Sequence, residues 1–298
     1  NISYAIDHGV DMVISHHPFL YQPIHDIDLS TCKGRMIENL MRHRITSFAA
    51  HTNLDSAVQG VNDALAEKLG LQECKGFVPV MTYSSYKFTL YITAAHAKLL
   101  KKKLDSLRGK DIESYYVVDD ADDFTENIRV EFRVPGQLVK QVKDMISSLD
   151  KSAKYDVYKL VNHGYKETMG RIGKFPFPMS VEEALSYIKN KLEIPVLRYA
   201  GNRDRLVEKI AILGGAGAEF AEVAKSMGAD LYLTGDLKYH EAQDAAMNGL
   251  VIADVGHFYT ERVIIPYLAK RLRDEFKTRG WNVGVLEDVR TKNIFHCV

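Results

Sequence analysis

Two seven-residue stretches, GVDMVIS at Gly9–Ser15 and GADLYLT at Gly228–Thr234, indicate the fold of this chain. Each follows a helix-like apolar stripe, starts with a glycine suited to ending a helix, and continues as a short apolar run typical of a buried strand. Polar residues break both strands, His16-His17-Pro18 after the first and Gly235-Asp236 after the second. The similarity alone is compatible with coincidence, since many α/β units end a helix with glycine before an apolar strand.

The unit that follows each stretch strengthens the comparison. An amphipathic stretch leads into the strand Ile45–Ala50, which ends in His51-Thr-Asn-Leu-Asp55. A second helix-like stretch, Lys238–Met247, leads into the strand Leu250–Val255, which ends in Gly256-His257-Phe-Tyr-Thr-Glu261. Both strands therefore end in a histidine followed four positions later by an acid. We predict a mixed α/β (α+β) fold of two pseudo-symmetric halves, in which ligands gather at the carboxyl ends of the strands.

A different pattern separates the halves. Strand, helix, strand, strand, helix and strand follow one another over roughly eighty residues, the βαββαβ order of a ferredoxin-like unit. We predict residues 84–162 as an insertion, and residues 1–83 with 163–298 as a discontinuous metal-binding core domain. The Gly/Pro-marked stretch Gly170–Pro178 is interpreted as the path back into that core. The acidic run Asp119–Asp123 in the insertion is better explained as a solvated loop than as a metal site.

Composition limits the classes of protein. The 298 residues are 46% hydrophobic and 26% charged, which is typical of a globular chain with a sizeable core. The 39 basic residues equal the 39 acidic ones, which argues against a general electrostatic attraction to nucleic acid or to an anionic membrane. Cys32, Cys74 and Cys297 are far apart and odd in number, which predicts reduced thiols in a cytoplasmic protein. The chain starts at Asn1, in what reads as the middle of a helix, so we expect that an N-terminal segment is missing.

The residue types that carry chemistry lie at the predicted strand ends. They are two histidines, a His/Asp pair and a His/Glu pair: His16 and His17, His51 and Asp55, His257 and Glu261. Each pair alone has an ordinary explanation as surface residues or as a side-chain contact along a helix. Together they predict a metal site, because imidazole and carboxylate suit Zn, Fe, Mn, Co or Ni, and a bridging carboxylate suits a two-metal centre.

Two further features leave alternatives open. The glycines in Gly214–Gly217 follow a predicted strand and precede a helix, so their N–H groups could hold a phosphate. Equally, they could let the backbone pass close to the metal site. His240 follows Asp236 by four residues on a predicted helix and is either a supporting acid/base group or a solvated helix residue.

The motifs resemble, in order, those of the GTP cyclohydrolase I type 2 family, also called Nif-three-like. They are Ile14–Pro18, Ala50–Asp55, Gly214–Gly217, Thr234–Asp236, and Gly256-His257 with Thr260-Glu261. Long bacterial members carry an insertion resembling PII and CutA proteins, and residues 84–162 look like a shortened version of it. The N-terminal strand and Trp-Asp-Asn-type motif usual in the family are absent from this sequence.

The resemblance implies a site and an activity. By motif, the metal ligands are His16, His17, Asp55, His257 and Glu261, with Glu261 as the bridge. We expect two divalent ions, with Zn, Fe or Mn as the candidates, and a homo-oligomer, often a hexamer in this family.

The implied reaction is hydrolysis of a nucleotide-like small molecule. For a GTP-like substrate, water would attack the imidazole carbon of the guanine ring and release formate, with His51 or His240 transferring protons. The alternative is a non-catalytic metal-binding regulatory or scaffold protein, because the sequence offers no unambiguous motif for recognising a substrate. We expect neither a membrane nor a nucleic acid as partner.

Overall fold

The computed structural model describes residues 2–107, 113–118 and 127–296. The chain divides into two compact units, which we call the core unit (residues 1–78 and 168–298) and the middle unit (residues 79–167). The acidic run at 119–123 and Cys297 lie outside the described residues. The assignment of 84–162 as an inserted domain of the PII/CutA type stays a prediction.

The helices and strands alternate along most of the chain. The first part of the core unit contains α1 (Ile2–Asp7), β1 (Met12–Ser15), α2 (Cys32–Arg42), β2 (Thr46–Ala49), α3 (Thr52–Ser56), α4 (Val61–Lys68) and β3 (Gln72–Lys75). The next six elements are β4 (Val78–Thr93), α5 (Ala94–Ser106), β5 (Glu113–Val118), β6 (Asn127–Pro135), α6 (Val139–Leu149) and β7 (Lys154–Met169). The rest of the core unit contains β8 (Arg171–Ser180), α7 (Val181–Leu192), β9 (Arg198–Ala200), β10 (Leu206–Ala216), α8 (Ala221–Ser226), β11 (Leu231–Gly235), α9 (Tyr239–Met247), β12 (Val251–Asp254), α10 (His257–Glu261) and α11 (Ile264–Arg279). The predicted mixed α/β class is confirmed.

A six-stranded sheet in the order β3-β8-β10-β11-β12-β9 forms the centre of the core unit. Its three middle strands, β10, β11 and β12, are parallel, whereas β8 and β9 run antiparallel to their neighbours. Side chains along β10 alternate between the two faces, so Ile210 and Ile212 pack in one hydrophobic cluster and Ala211 and Leu213 in another. Both faces of the sheet are thus covered, as expected for parallel strands.

The two halves repeat the same local structure. In the first half, β1 and β2 form a parallel pair, and the Ala50 amide donates to the Ser15 carbonyl at 2.8 Å. In the second, β11 and β12 are parallel, and the Val255 amide donates to the Thr234 carbonyl at 3.0 Å. The glycines before β1 and β11, Gly9 and Gly228, have φ of 61° and 81°, the left-handed conformation that ends a helix. The predicted pseudo-symmetry is therefore present at the level of individual backbone bonds.

The predicted burial of the first strand is wrong. Met12 and Ile14 of β1 are 48% and 43% exposed, whereas Leu231 and Leu233 of β11 are fully buried. In the described chain, β1 pairs only with β2, so its two-stranded sheet lacks the neighbouring strands that enclose β11.

The stretch predicted as a connection is a strand. Residues 171–180 form β8, which pairs with both β10 and β3. Pairing with β10 is irregular between Lys174 and Met179, and Pro176 and Pro178 lie in this interruption, where a missing N–H costs no ladder bond. The prolines therefore mark an irregularity in the strand and not its absence.

The middle unit contains a four-stranded antiparallel sheet in the order β5-β6-β4-β7. Its helices α5 and α6 bury Leu100 and Ile146 against that sheet, where Phe88 and Phe132 stack with ring centroids 5.3 Å apart. None of the described helices in either unit is long and apolar enough to cross a lipid bilayer.

Candidate metal centre

Three strand ends, those of β1, β2 and β12, deliver the candidate ligands to one place in the core unit. His16 and His17 follow β1 directly, and His51 is the residue before α3, which carries Asp55. In the second half, Val255 and Gly256 separate β12 from α10, a five-residue helix that begins at His257 and ends at Glu261. Because α10 starts at His257, the two side chains share one helix face, as their spacing predicts.

The side-chain atoms are within ligand distance of a common centre. Glu261 Oε1 lies 2.9 Å from His257 Nε2 and 3.4 Å from His16 Nε2, and Glu261 Oε2 lies 3.3 Å from His17 Nε2. His16 Nε2 is also 3.6 Å from Asp55 Oδ1. A single carboxylate thus contacts three imidazoles from both halves, which is the arrangement that a bridging ligand requires.

Two overlapping groups have the composition and spacing to hold a metal ion. In the first, His16, His17 and His51 offer ligand atoms within 4.8 Å of one another; in the second, His17, His257 and Glu261 do so. His17 belongs to both. The structure therefore brings His51, predicted as a proton-transferring residue, into reach of the same centre as the predicted ligands.

The hydrogen bonding of the buried polar atoms in the cluster shows whether a cation fits there. Nδ1 of His16 donates to the Ala50 carbonyl at 2.8 Å, which leaves Nε2 with its lone pair directed at the carboxylates. Both His16 Nε2 and Asp55 Oδ1 are buried and have no hydrogen-bond partner. Unsatisfied buried acceptors facing one another are costly, and either a cation or a shared proton removes that cost. The donor set of imidazoles and carboxylates fits a divalent transition metal.

The electrostatics of the cluster favour an ionised Glu261. Burial alone would raise the pKa of Glu261, but its close contacts with the imidazoles of His16 and His257 outweigh burial and hold that pKa at about 2. The hydrogen bond to Glu261 in turn raises the pKa of His257 to about 9, with Asp236 adding to the effect. In the metal-free protein, His257 therefore carries a proton at neutral pH, which a bound cation would displace.

The pKa values of the remaining proposed ligands are shifted in different directions. Burial opposes a charge on His16, yet the close contact with the negatively charged Glu261 prevails and raises the pKa of the His16 imidazole. Burial lowers the pKa of His17 and raises the pKa of Asp55 to about 6. Perturbed titrations concentrated in one cluster are typical of functional sites.

The glycine segment Gly214–Gly217 lets the backbone approach the cluster closely. Gly214 and Gly215 are the end of β10 and not a loop, and their amides donate to Asn62 Oδ1 and Thr260 Oγ1, each at 2.9 Å. A Cβ on Gly215 would lie 2.7 Å from Glu261 Oε1. Both amides are thus occupied within the protein, and of the two alternatives left open by the sequence the structure favours backbone passage beside the site over phosphate binding.

Three residues differ from the sequence-based picture. His240 is exposed on the first turn of α9, where its ring contacts Tyr239, and the structure does not bring it into either ligand group. Asp236, not predicted as a site residue, accepts from His257 Nδ1 at 2.7 Å. Asn62, also missed, is fully buried and donates to the Asp55 carbonyl while accepting from Gly214. A signal for Asp236 existed, since it follows β11 as His17 follows β1; the sequence around Asn62 held none.

Fold and site together define a two-half α/β protein whose strand ends bring histidines and carboxylates into one cluster suited to a metal ion. The chain belongs to the Duf34/NIF3 (NGG1p interacting factor 3) family, whose model matches residues 1–293. This confirms the family resemblance inferred from the motifs.

Named relatives and solved structures agree with that assignment. The chain is 31% identical to the "GTP cyclohydrolase 1 type 2 homolog" of Bacillus subtilis, over 99% of this chain and 85% of that protein. It is also 31% identical to the protein of that name from Halalkalibacterium halodurans, over 96% and 83% of the two chains. The crystal structure of a Bacillus cereus protein related to NIF3 matches with a TM-score of 0.82 and 31% identity, covering 100% of this chain and 86% of that one.

Proposed function

We propose that this protein is a metal-dependent hydrolase that uses a dinuclear divalent metal centre on a nucleotide-like substrate. The observation that carries the proposal is the single carboxylate of Glu261 within 3.4 Å of three imidazole nitrogens. One of these nitrogens, His16 Nε2, is buried without a hydrogen-bond partner, and so is the neighbouring Asp55 Oδ1. A purely structural cluster would satisfy those acceptors with donors of its own.

The ligands proposed are His16, His17, Asp55, His257 and Glu261. Glu261 fits the bridging role because its two oxygens face different histidines, Oε1 towards His16 and His257 and Oε2 towards His17. When bound, divalent cations supply Lewis acidity, which lowers the pKa of water and polarises an electrophile. Zn, Fe and Mn are the candidates for this donor set.

Protein groups beside the ligands carry the proton transfers. The His51 ring lies 5.1 Å from the His17 ring and 5.4 Å from the His16 ring, measured between centroids. An imidazole at that position is able to accept a proton from water and deliver it to a leaving group near neutral pH. His51 is therefore the better candidate for proton transfer than the exposed His240.

The substrate class follows from the relatives, which are named homologues of a GTP cyclohydrolase. For this chain we propose a purine nucleotide, hydrolysed twice at the imidazole carbon of its base: one water opens the ring to a formamide, and a second cleaves the formamide to formate and an amine. Homo-oligomerisation to a hexamer is part of the same proposal, and light scattering of the purified protein tests it separately.

Formate release from GTP tests the activity. The protein is stripped, reloaded with Zn, Mn, Fe or Co, and compared with Glu261→Gln and with the exposed His43→Ala as a control. We expect formate above background with at least one metal for wild type and His43→Ala, and none for Glu261→Gln. Metal-loaded wild type that releases no formate with any of the four ions would contradict the ring-opening activity and favour the non-catalytic metal-binding alternative.

A further inference from the structure

The hydrogen bond between Asp236 and His257 has a defined direction. A carboxylate only accepts, so the 2.7 Å contact between Asp236 Oδ2 and His257 Nδ1 places the proton on Nδ1. The opposite nitrogen, Nε2, is the atom that lies 2.9 Å from Glu261 Oε1 and 3.4 Å from His17 Nε2. Asp236 therefore determines which nitrogen of His257 faces the cluster.

The backbone around Asp236 is built for this contact. Asp236 has φ of 59°, a left-handed conformation that aspartate and asparagine adopt more readily than other side chains. The preceding residue, Gly235, packs directly on the next strand end, since a Cβ there would lie 2.7 Å from the His257 amide nitrogen. The absence of a side chain at 235 thus brings the carboxylate of the next residue to the edge of the His257 ring.

The repeat explains why a carboxylate is available there. Ser15 and Thr234 are equivalent because each accepts the bond from the following parallel strand, so His17 and Asp236, two residues on, occupy equivalent positions. In the first half His17 lies beside His51, and in the second half Asp236 lies beside His257. The same position thus supplies a proposed ligand in one half and a partner for a ligand in the other.

The hydrogen-bond acceptor for the histidine Nδ1 atom also differs between the two halves. His16 donates through Nδ1 to the neutral carbonyl of Ala50 at 2.8 Å, whereas His257 donates to a charged carboxylate. A carboxylate partner both fixes the ring and makes the opposite nitrogen a stronger donor to a cation.

We propose that Asp236 is a positioning residue of the metal centre, which fixes the tautomer and orientation of His257 and strengthens its bond to the metal ion. This inference rests on the proposed metal-dependent function. Removal of such a partner lowers metal affinity by about 10–100-fold in comparable sites.

Two Asp236 variants and one control distinguish the effect of the Asp236 carboxylate from the effect of the backbone conformation at that position. Asp236→Gly retains the left-handed conformation and removes the acceptor; Asp236→Asn retains conformation and size and removes the charge. Asp244→Asn, an exposed carboxylate on α9, is the matched control. All are compared with wild type by thermal unfolding, by Zn²⁺ affinity in competition with a chromophoric chelator, and by ¹⁵N NMR of the His257 ring.

We expect Asp236→Gly to lose about 10–100-fold in Zn²⁺ affinity, Asp236→Asn to lose less, and Asp244→Asn to match wild type. In the metal-free protein with a neutral His257 ring, the wild-type ring should carry its proton on Nδ1, where Asp236 accepts it, and the Asp236→Gly ring should not favour that nitrogen. A merely structural residue would change unfolding without changing the ring tautomer.

The outcomes distinguish this inference from the function it rests on. If wild type binds Zn²⁺ and both Asp236 variants bind it equally well, the positioning role is wrong while the metal centre stands. If wild type has no Zn²⁺ affinity, the metal centre is wrong, and the inference falls with it. An unchanged ring tautomer in Asp236→Gly would overturn the positioning role whatever the affinities are.

Discussion

His17 Nε2 and His257 Nε2 lie 3.4 Å apart, although 240 positions separate them in the chain. One nitrogen comes from the end of β1 and the other from the first residue of α10, so this contact is where the two halves of the repeat meet. Two protonated imidazoles at this distance repel each other, and two neutral ones direct lone pairs at the same space. A single proton between the two nitrogens removes either conflict, and so does a cation, which makes metal content the first property to measure.

We expect about two transition-metal ions per chain in protein purified without a His-tag and without chelator. His17→Ala should reduce the content by half or more, because His17 belongs to both ligand groups, and Glu261→Gln should do the same by removing the bridging charge. His43→Ala, an exposed histidine at the end of α2, is the control for nonspecific binding. Elemental analysis gives the counts, and wild-type protein with no transition metal would contradict the ligand assignment.

The stability of the metal-free protein should fall as pH rises through the weakly alkaline range. The pKa of His257 is raised from 6.5 to about 9, so the folded state binds its proton more tightly than the unfolded chain does. This stabilisation is complete below pH 6.5 and is lost as pH rises through 9. The burial-lowered pKa of His17 acts in the opposite direction, but below that window.

Urea unfolding of chelator-treated protein across this range measures the effect. His257→Gln should flatten the decline between pH 6.5 and 9 relative to wild type. Added Zn²⁺ should reverse the slope, because a ligand must lose its proton before it binds. A wild-type stability that is constant across the window would show that Glu261 does not hold His257 protonated.

The site was predictable from sequence where its geometry is local. His257 and Glu261 are one helical turn apart, so their proximity depends only on where α10 begins. The convergence of the strand ends followed from two parallel pairs with matching Gly-Asp-apolar patterns. The exposure of β1 was not predictable in this way, because the sequence of an apolar strand does not indicate whether one or two strands pair with it.

Interactions that depend on tertiary contact could not be read from the chain. Asn62 is separated from Gly214 by 152 positions, and only the packing of α4 on β10 brings them together. The repeat places Asp236 where His17 lies in the first half, but its contact with His257 also depends on a backbone φ of 59°, which the repeat does not specify. His240 shows the converse error, since a helical spacing from Asp236 suggested a supporting role that the exposed position on α9 does not support.

Gly215→Ala should destabilise the protein and weaken metal binding together. An added Cβ would lie 2.7 Å from Glu261 Oε1 and 3.4 Å from His257 Nε2, and φ at this position is 75°. We expect a loss of about 1–3 kcal/mol in the free energy of unfolding from backbone strain alone. Gly284→Ala is the control, since nothing lies within 4 Å of its Cβ position. If Gly215→Ala bound metal as wild type does, the close approach of β10 would have no part in shaping the site.

Asn62→Ala tests how the two halves are held at their spacing. The Asn62 amide joins the Asp55 carbonyl to the Gly214 amide, and its loss leaves two buried backbone groups without partners. We expect a destabilisation of about 2–4 kcal/mol and a lower metal affinity, because Asp55 is no longer fixed. The exposed Asn190→Ala on α7 controls for loss of an amide in general. Denaturation curves and chelator competition give the two quantities, and a stability equal to that of Asn190→Ala would contradict the bridging role.

The core unit should fold and bind metal without the middle unit. Every proposed ligand lies in residues 1–78 or 168–298, and so do the supporting residues Asn62 and Asp236. The two ends to be joined are close, because a Cβ on Gly76 would overlap the side chain of Thr168. A Gly/Ser linker of six residues spans about 13 Å on average, enough to replace residues 79–167 without strain.

Circular dichroism, thermal unfolding and elemental analysis should show a cooperative, metal-loaded product. Inserting the same linker after Val78 in the full-length chain controls for the junction itself. If that control folds and loads metal while the shortened chain is insoluble or metal-free, the middle unit is integral to the core and the insertion hypothesis is wrong.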